Sequence, residues 1–146
     1  MNADLQNAKQ RLLSGGYTCV LCRGEACFSS ADRGVNPLLT LLDSGKDFAG
    51  FSAADKVVGR ATAFLYCLLG VREVYAQVLS DPAAQVLDRF GIRWSCENRV
   101  AGIRNRENTG PCPMEYATRD ISDPADAANA IRVALQKLQK DKNRKP

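Results

Sequence analysis

The 146-residue chain contains no histidine. That absence excludes Ser-His-Asp and Cys-His catalysis, His-ligated zinc and imidazole pH sensing. Neither a G-x-x-x-x-G-K-[ST] nor a G-x-G-x-x-G segment occurs, so the phosphate-loop and dinucleotide fingerprints are missing as well. No apolar run approaches the ~20 residues that a membrane span needs, and no basic-then-apolar signal pattern opens the chain. A cytoplasmic protein without a membrane partner is expected. In that compartment the cysteines at 19, 22, 27, 67, 96 and 112 are expected to be reduced.

Composition is that of an ordinary globular domain, 45% hydrophobic and 25% charged, and the length suits one core. The net charge of +4 points to a polyanion only until its position is noted. Residues 137–146 hold five basic residues and one acid, which is the whole of that excess. The expectation is a single domain over 1–136 followed by a basic, disordered tail over 137–146. Nucleic acid is not an expected partner, because the body is neutral.

Hydrophobic spacing gives a helix over 2–14, with Leu5, Ala8, Leu12 and Leu13 on one side, closed by Gly15-Gly16. Tyr17–Cys22 and Ala26–Ser29 read as a hairpin turning at Arg23-Gly24. In a strand Cys19 and Cys22 face opposite sides of the sheet, so their C-x-x-C spacing suits neither a metal knuckle nor dithiol chemistry. Pro37 opens a short helix over 38–43. The longest segment of helical spacing is Ser52–Gly70, with Val57, Val58, Ala61, Phe64, Leu65 and Leu68 on one face. Ser52 would cap it and Gly70 would end it, while Asp55, Gly59, Thr62 and Tyr66 form a smaller, more polar stripe.

Val71–Leu79 reads as a strand, Ser80-Asp81-Pro82 opens a helix to Phe90, and Ile92–Cys96 is another strand. Glu97–Arg106 fits no period, Glu107–Gly110 reads as loop, and a short helix can start near Cys112. Asp123-Pro124 begins a final helix to about Leu138. Strands joined by helices imply parallel pairing, and the hairpin adds an antiparallel pair. The expected fold is α/β, a three-layer α-β-α sandwich around a mixed sheet of four or five strands.

Carboxylates, amines, thiols and helix N-termini are what remain for chemistry. Asp55 and Lys56 would place an acid and an amine in the first turn of the long helix, near the strand ends where α/β sheets bind ligands. The same Asp55 also completes a capping box with Ser52, which requires no function. Cys112, between two prolines and followed by Glu115, would sit at a helix start that lowers a thiol's pKa, or would simply be buried in a rigid loop. Arg33-Gly34 is an anion clamp or a plain turn. Ser80-Asp81 is a ligand contact or a plain cap.

Two resemblances then meet. Ser80-Asp-Pro-Ala-Ala-Gln-Val-Leu-Asp-Arg-Phe-Gly91 resembles the helix that cytidine deaminases open with Pro-Cys-x-x-Cys, and the order of elements is similar to that fold. Arg33-Gly-Val-Asn-Pro-Leu-Leu39, Ala54-Asp-Lys-Val-Val-Gly-Arg-Ala61, Gly70-Val-Arg-Glu-Val-Tyr-Ala76 and Cys112-Pro-Met-Glu115 resemble a small uncharacterised prokaryotic family of cytidine-deaminase-like fold, known only as a domain of unknown function. The resemblance spans roughly Tyr17 to Leu135. Active deaminases hold zinc with His or Cys and move protons with Glu. Here Val57 and Gly59 stand at the first of those helices and Ala83 and Ala84 at the second. None can ligate a metal, so no zinc and no other cofactor is expected.

The functional expectation is therefore a zinc-free deaminase-like domain that binds a small anionic or nucleotide-like ligand at helix N-termini. Asp55 and Lys56 would be its acid–base pair and Cys112 a nucleophile. Arg33, Gly34, Gly59, Ser80, Asp81 and Glu115 would line the ligand. The alternatives are a catalytically inactive interaction or scaffold subunit that forms a homodimer, and redox sensing through Cys112. Metal analysis of the purified protein checks the zinc expectation: no stoichiometric zinc should be found.

Overall fold

A computed structural model of the chain describes residues 2–105, 110 and 112–144, with side chains as far as residue 140. Its centre is a five-stranded mixed sheet in the order β2-β1-β3-β4-β5. The hairpin strands β1 (Cys19–Arg23) and β2 (Ala26–Ser30) pair antiparallel. β1 also pairs antiparallel with β3 (Ser52–Val58). β4 (Glu73–Ser80) and β5 (Arg93–Val100) then continue the sheet in parallel. One face is covered by α1 (Ala3–Gly15), which buries Leu5, Ala8 and Leu12 against Val20, Cys22, Ala54 and Tyr75. The other face carries α3 (Arg60–Leu69) and α4 (Asp81–Arg89), with α2 (Asn36–Asp43), α5 (Pro113–Thr118) and α6 (Pro124–Arg144) packed around α3. The expected three-layer sandwich is what is observed.

The long helix expected over Ser52–Gly70 is two elements. Ser52–Val58 is a strand, and only Arg60–Leu69 is helical. The run Ser52–Asp55 is buried throughout, so it shows no alternation, and a buried strand of this kind cannot be told from a helix turn by period. Pairing decides it. Asp55 lies opposite Cys19 on one side and Ala76 on the other, so this backbone is satisfied from both flanks. Ser52 is consequently no N-cap; Gly59, in an extended conformation, takes that position. Gly70 does end the helix, in the left-handed conformation at φ 76° that suits glycine.

Other boundaries shift for local reasons. The hairpin turns at Gly24-Glu25, one residue later than expected, with Gly24 at φ 58°. β5 runs on to Val100 because it follows β4 in one register, from Glu73↔Arg93 to Ser80↔Val100. The loop expected over 107–110 lies outside the described residues except at Gly110. Leu13, expected on the apolar side of the first helix, is exposed at 54%.

The caps at Ser80 and Asp123 form as expected. Ser80 Oγ accepts from Ala83 N–H at 3.1 Å, and Asp123 Oδ1 accepts from Ala125 N–H at 2.8 Å. Cys19 and Cys22 do diverge, one toward α3 and one toward α1. Cys22 is not reduced, however. It stands in register with Cys27 across the hairpin, Cα atoms 4.2 Å apart, and the two form a disulfide.

Within the segment expected as a disordered tail, residues 137–144 belong to α6, which continues to Arg144. Lysine, glutamine and arginine are good helix formers, and cations favour a helix C-terminus. Residues 136–140 are exposed along it. Removal of residues 137–146 should therefore change unfolding free energy by no more than about 0.5 kcal/mol, the usual range for surface changes. Chemical denaturation of the truncated and full chains checks this.

Candidate functional site

Strands β3 and β4 both end at one edge of the sheet, and each feeds directly into a helix on the same face. The N-termini of α3 and α4 therefore open side by side at that edge, where parallel sheets present their ligand crevices. Five of the expected site residues converge there: Gly59, Ser80, Asp81, Cys112 and Glu115. Asp55 lies farther down β3, four residues before Gly59, about 13 Å along the strand.

Glu115 is the group that fills the α3 terminus. Its Oε1 accepts from the Ala61 N–H at 3.3 Å, and the Arg60 amide also bonds to the carboxylate. The residue comes from α5, 54 positions away in sequence. Arg60 fastens the same segment by donating from Nε to the Thr118 carbonyl at 2.8 Å and from its second arm to the Ile121 carbonyl. Gly59 is required by this approach, because a Cβ there would stand 2.2 Å from Glu115 Oε1 and 3.0 Å from Ile103 Cγ1. Burial raises the Glu115 pKa above the ordinary carboxylate value, opposed by the two amides and by Arg60.

Cys112 caps the same short helix. Its N–H donates to the Ile103 carbonyl at 2.9 Å, and its carbonyl accepts from Tyr116 N–H at 3.0 Å. The thiol is half-buried and free. At the α4 terminus, Ser80 Oγ is taken up by the cap, and Asp81 Oδ1 receives Arg99 Nε at 2.6 Å. That ion pair is about half exposed on both sides and contributes little to stability.

Asp55 and Lys56 do not form an acid–base pair. Neighbours in a strand point to opposite faces. Asp55 is buried under α3, whereas Lys56 is exposed. Tyr66 Oη donates to Asp55 Oδ2 at 2.6 Å, and Val57 N–H donates to Oδ1 at 3.2 Å. Cys19 Sγ is 3.4 Å from the same Tyr66 oxygen. The polar stripe containing Tyr66 is thus an internal hydrogen-bonded cluster, with Tyr66 wholly buried. Sequence reasoning missed it because Cys19 and Tyr66 are 47 residues apart and meet only through strand pairing. Arg33 and Gly34 sit in an exposed turn after β2, two strands away from β3 in the sheet.

Desolvation raises the Asp55 pKa from 3.8 to about 7, against the lowering effect of Tyr66 and the backbone amides. Burial, and then the Asp55 charge, push Cys19 and Tyr66 upward, so both stay protonated. The raised folded-state pKa means that Asp55 takes up a proton on folding. Its contribution is complete below about pH 4 and is lost as pH rises to about 7. Relative to Asp55→Asn, which does not titrate, the native chain should lose stability over that window by on the order of 1 kcal/mol per pH unit. Denaturant unfolding of both proteins from pH 4 to 8 measures it; parallel curves would place the carboxylate in water.

Among the described residues no group of three or more His, Cys, Asp or Glu side chains could hold a metal ion. Gly59 caps α3, and Ala83 and Ala84 are buried in the first turn of α4, and none of these three side chains can ligate a metal. The structure resembles the crystal structure of a DUF1893 family protein (TM1506) from Thermotoga maritima, with TM-score 0.80 and 22% identity over 94% of this chain and 92% of that one. A dCMP deaminase from the cyanophage S-TIM5, in apo form, matches at TM-score 0.43 and 13% identity, over 66% of this chain and 94% of that one. No curated protein matches. The model of one family, TM1506, a domain of unknown function (DUF1893), matches residues 7–135, and the chain belongs to that family.

Proposed function

We propose that this domain binds a small anionic or nucleotide-like ligand at the edge where α3 and α4 begin, without zinc. The observation that carries this reading is the Glu115 carboxylate on the α3 amides. A helix N-terminus attracts an anion, and here the chain supplies one from a separate segment. Burial raises the pKa of that carboxyl above its ordinary value, which suits a group that gives or takes a proton beside a bound ligand. Gly59 leaves the room that makes the approach possible. In this reading Glu115 is the acid–base group, Cys112 stands on the same short segment as a nucleophile, and Ser80 and Asp81 bound the ligand on the α4 side. Asp55 stays in the internal cluster with Tyr66 and takes no direct part. Lys56 and Arg33 take no direct part. The alternative, a catalytically inactive interaction subunit, draws on the open edge of β5.

A thermal-shift panel of nucleotides, nucleobases and sugar phosphates tests the ligand reading. At least one compound should raise Tm, by the mass action of binding to the folded state. Its stabilisation should grow in Glu115→Gln, which removes a competing charge, and stay the same in Lys46→Ala at the opposite end of the sheet. No stabilising compound, or an equal shift in Glu115→Gln, would reject the site.

A further inference from the structure

Among the described residues the sheet ends in two unpaired edge strands, β2 with five residues and β5 with eight. Long, regular edges invite pairing, and proteins commonly blunt them with proline, lysine, bulges or brevity. β2 is short. β5 uses none of these devices: its sequence Arg-Trp-Ser-Cys-Glu-Asn-Arg-Val lacks proline and lysine, and it holds one register against β4 throughout.

The side chains along β5 carry a self-complementary pattern. Arg93, Ser95 and Glu97 share one face by alternation, the face on which Ser95 stands beside Tyr75. Arg93 is exposed and has no ion pair among the described residues. The Glu97 side chain is 56% exposed, 3.7 Å from Lys9 Nζ, and accepts from Tyr75 Oη at 2.9 Å. Between them, Ser95 Oγ is buried within the chain and has no hydrogen-bond partner among the described residues.

We propose that a second copy of this chain pairs with β5, antiparallel, about a two-fold axis at Ser95, so that the two sheets become one. In that register Arg93 stands opposite the partner's Glu97, and Glu97 opposite the partner's Arg93. Ser95 stands opposite the partner's Ser95 on the axis, where two small side chains let the strands approach. On the other face Trp94 lies across from the partner's Cys96. The charge pattern selects this register: an axis at Cys96 would set Arg93 against the partner's Arg99, and like charges directly opposite are unfavourable. One patch pairing with itself is the isologous geometry of a two-fold dimer. This interface does not depend on the ligand reading.

Light scattering of the full chain over a concentration series tests the proposal. Mass should rise from 15.9 kDa toward twice that value. Arg93→Glu and Glu97→Arg should each weaken the dimer by roughly tenfold or more, since each sets like charges together twice. Combining the two reversals should restore it. Glu97 also bonds within the chain, so the melting temperature of its variant is checked. If that variant does not fold, Arg93→Glu, at an exposed position without an ion pair, decides alone. A mass of 15.9 kDa at every concentration, or a dimer untouched by Arg93→Glu, overturns the proposal.

Discussion

The pairing of β3 on both its flanks is the constraint on which the rest of this fold depends. Ser52–Val58 takes its hydrogen bonds from an antiparallel neighbour on one side and a parallel neighbour on the other. It thereby joins the N-terminal hairpin to the two α/β units that follow. The same strand carries Asp55 into the interior, where Tyr66 and a backbone amide satisfy its oxygens. A buried carboxyl is tolerated because it is bonded on both oxygens and because its pKa rises until it is partly neutral near pH 7. Strand, helix and hairpin are tied at one point by Asp55, Tyr66 and Cys19.

From that strand the positions of the helix starts follow. α3 begins directly beyond Val58 and α4 directly beyond Leu79, because parallel neighbours require crossovers that leave from the same edge. Two positive helix ends side by side need negative partners. The chain meets the need differently at each: a hydroxyl cap and the Asp81–Arg99 pair at α4, and a carboxylate from α5 at α3. Arg60 and Gly59 serve this second arrangement, one by fastening the α5 segment and the other by leaving space.

Much of the architecture was readable from local chemistry. The hairpin, the Ser80 and Asp123 caps, the Gly70 terminator and the alternation of strands with helices all rest on signals within a few residues. The segment Ser52–Val58 was not readable. A run without alternation looks alike in a buried strand and in a helix, and only its neighbours distinguish them. The candidate site shows the same division. Gly59, Ser80, Asp81, Cys112 and Glu115 could each be named from sequence, yet Asp55–Lys56 could not be recognised as residues on opposite faces. The Cys22–Cys27 pair escaped for a related reason, since C-x-x-C spacing draws attention to Cys19, while register joins Cys22 to the next strand.

The sequence by itself determined the exclusions and the inventory: no histidine, no nucleotide fingerprint, and an α/β order of elements. Those conclusions depend only on which atoms are available. Tertiary structure decided which of those atoms meet. It set Asp55 beneath Tyr66, placed Glu115 on amides 54 residues away, and left Arg93, Ser95 and Glu97 along an open edge. Contacts of such separation depend on strand order and register, which come from burying the whole core at once rather than from any local stretch of chain.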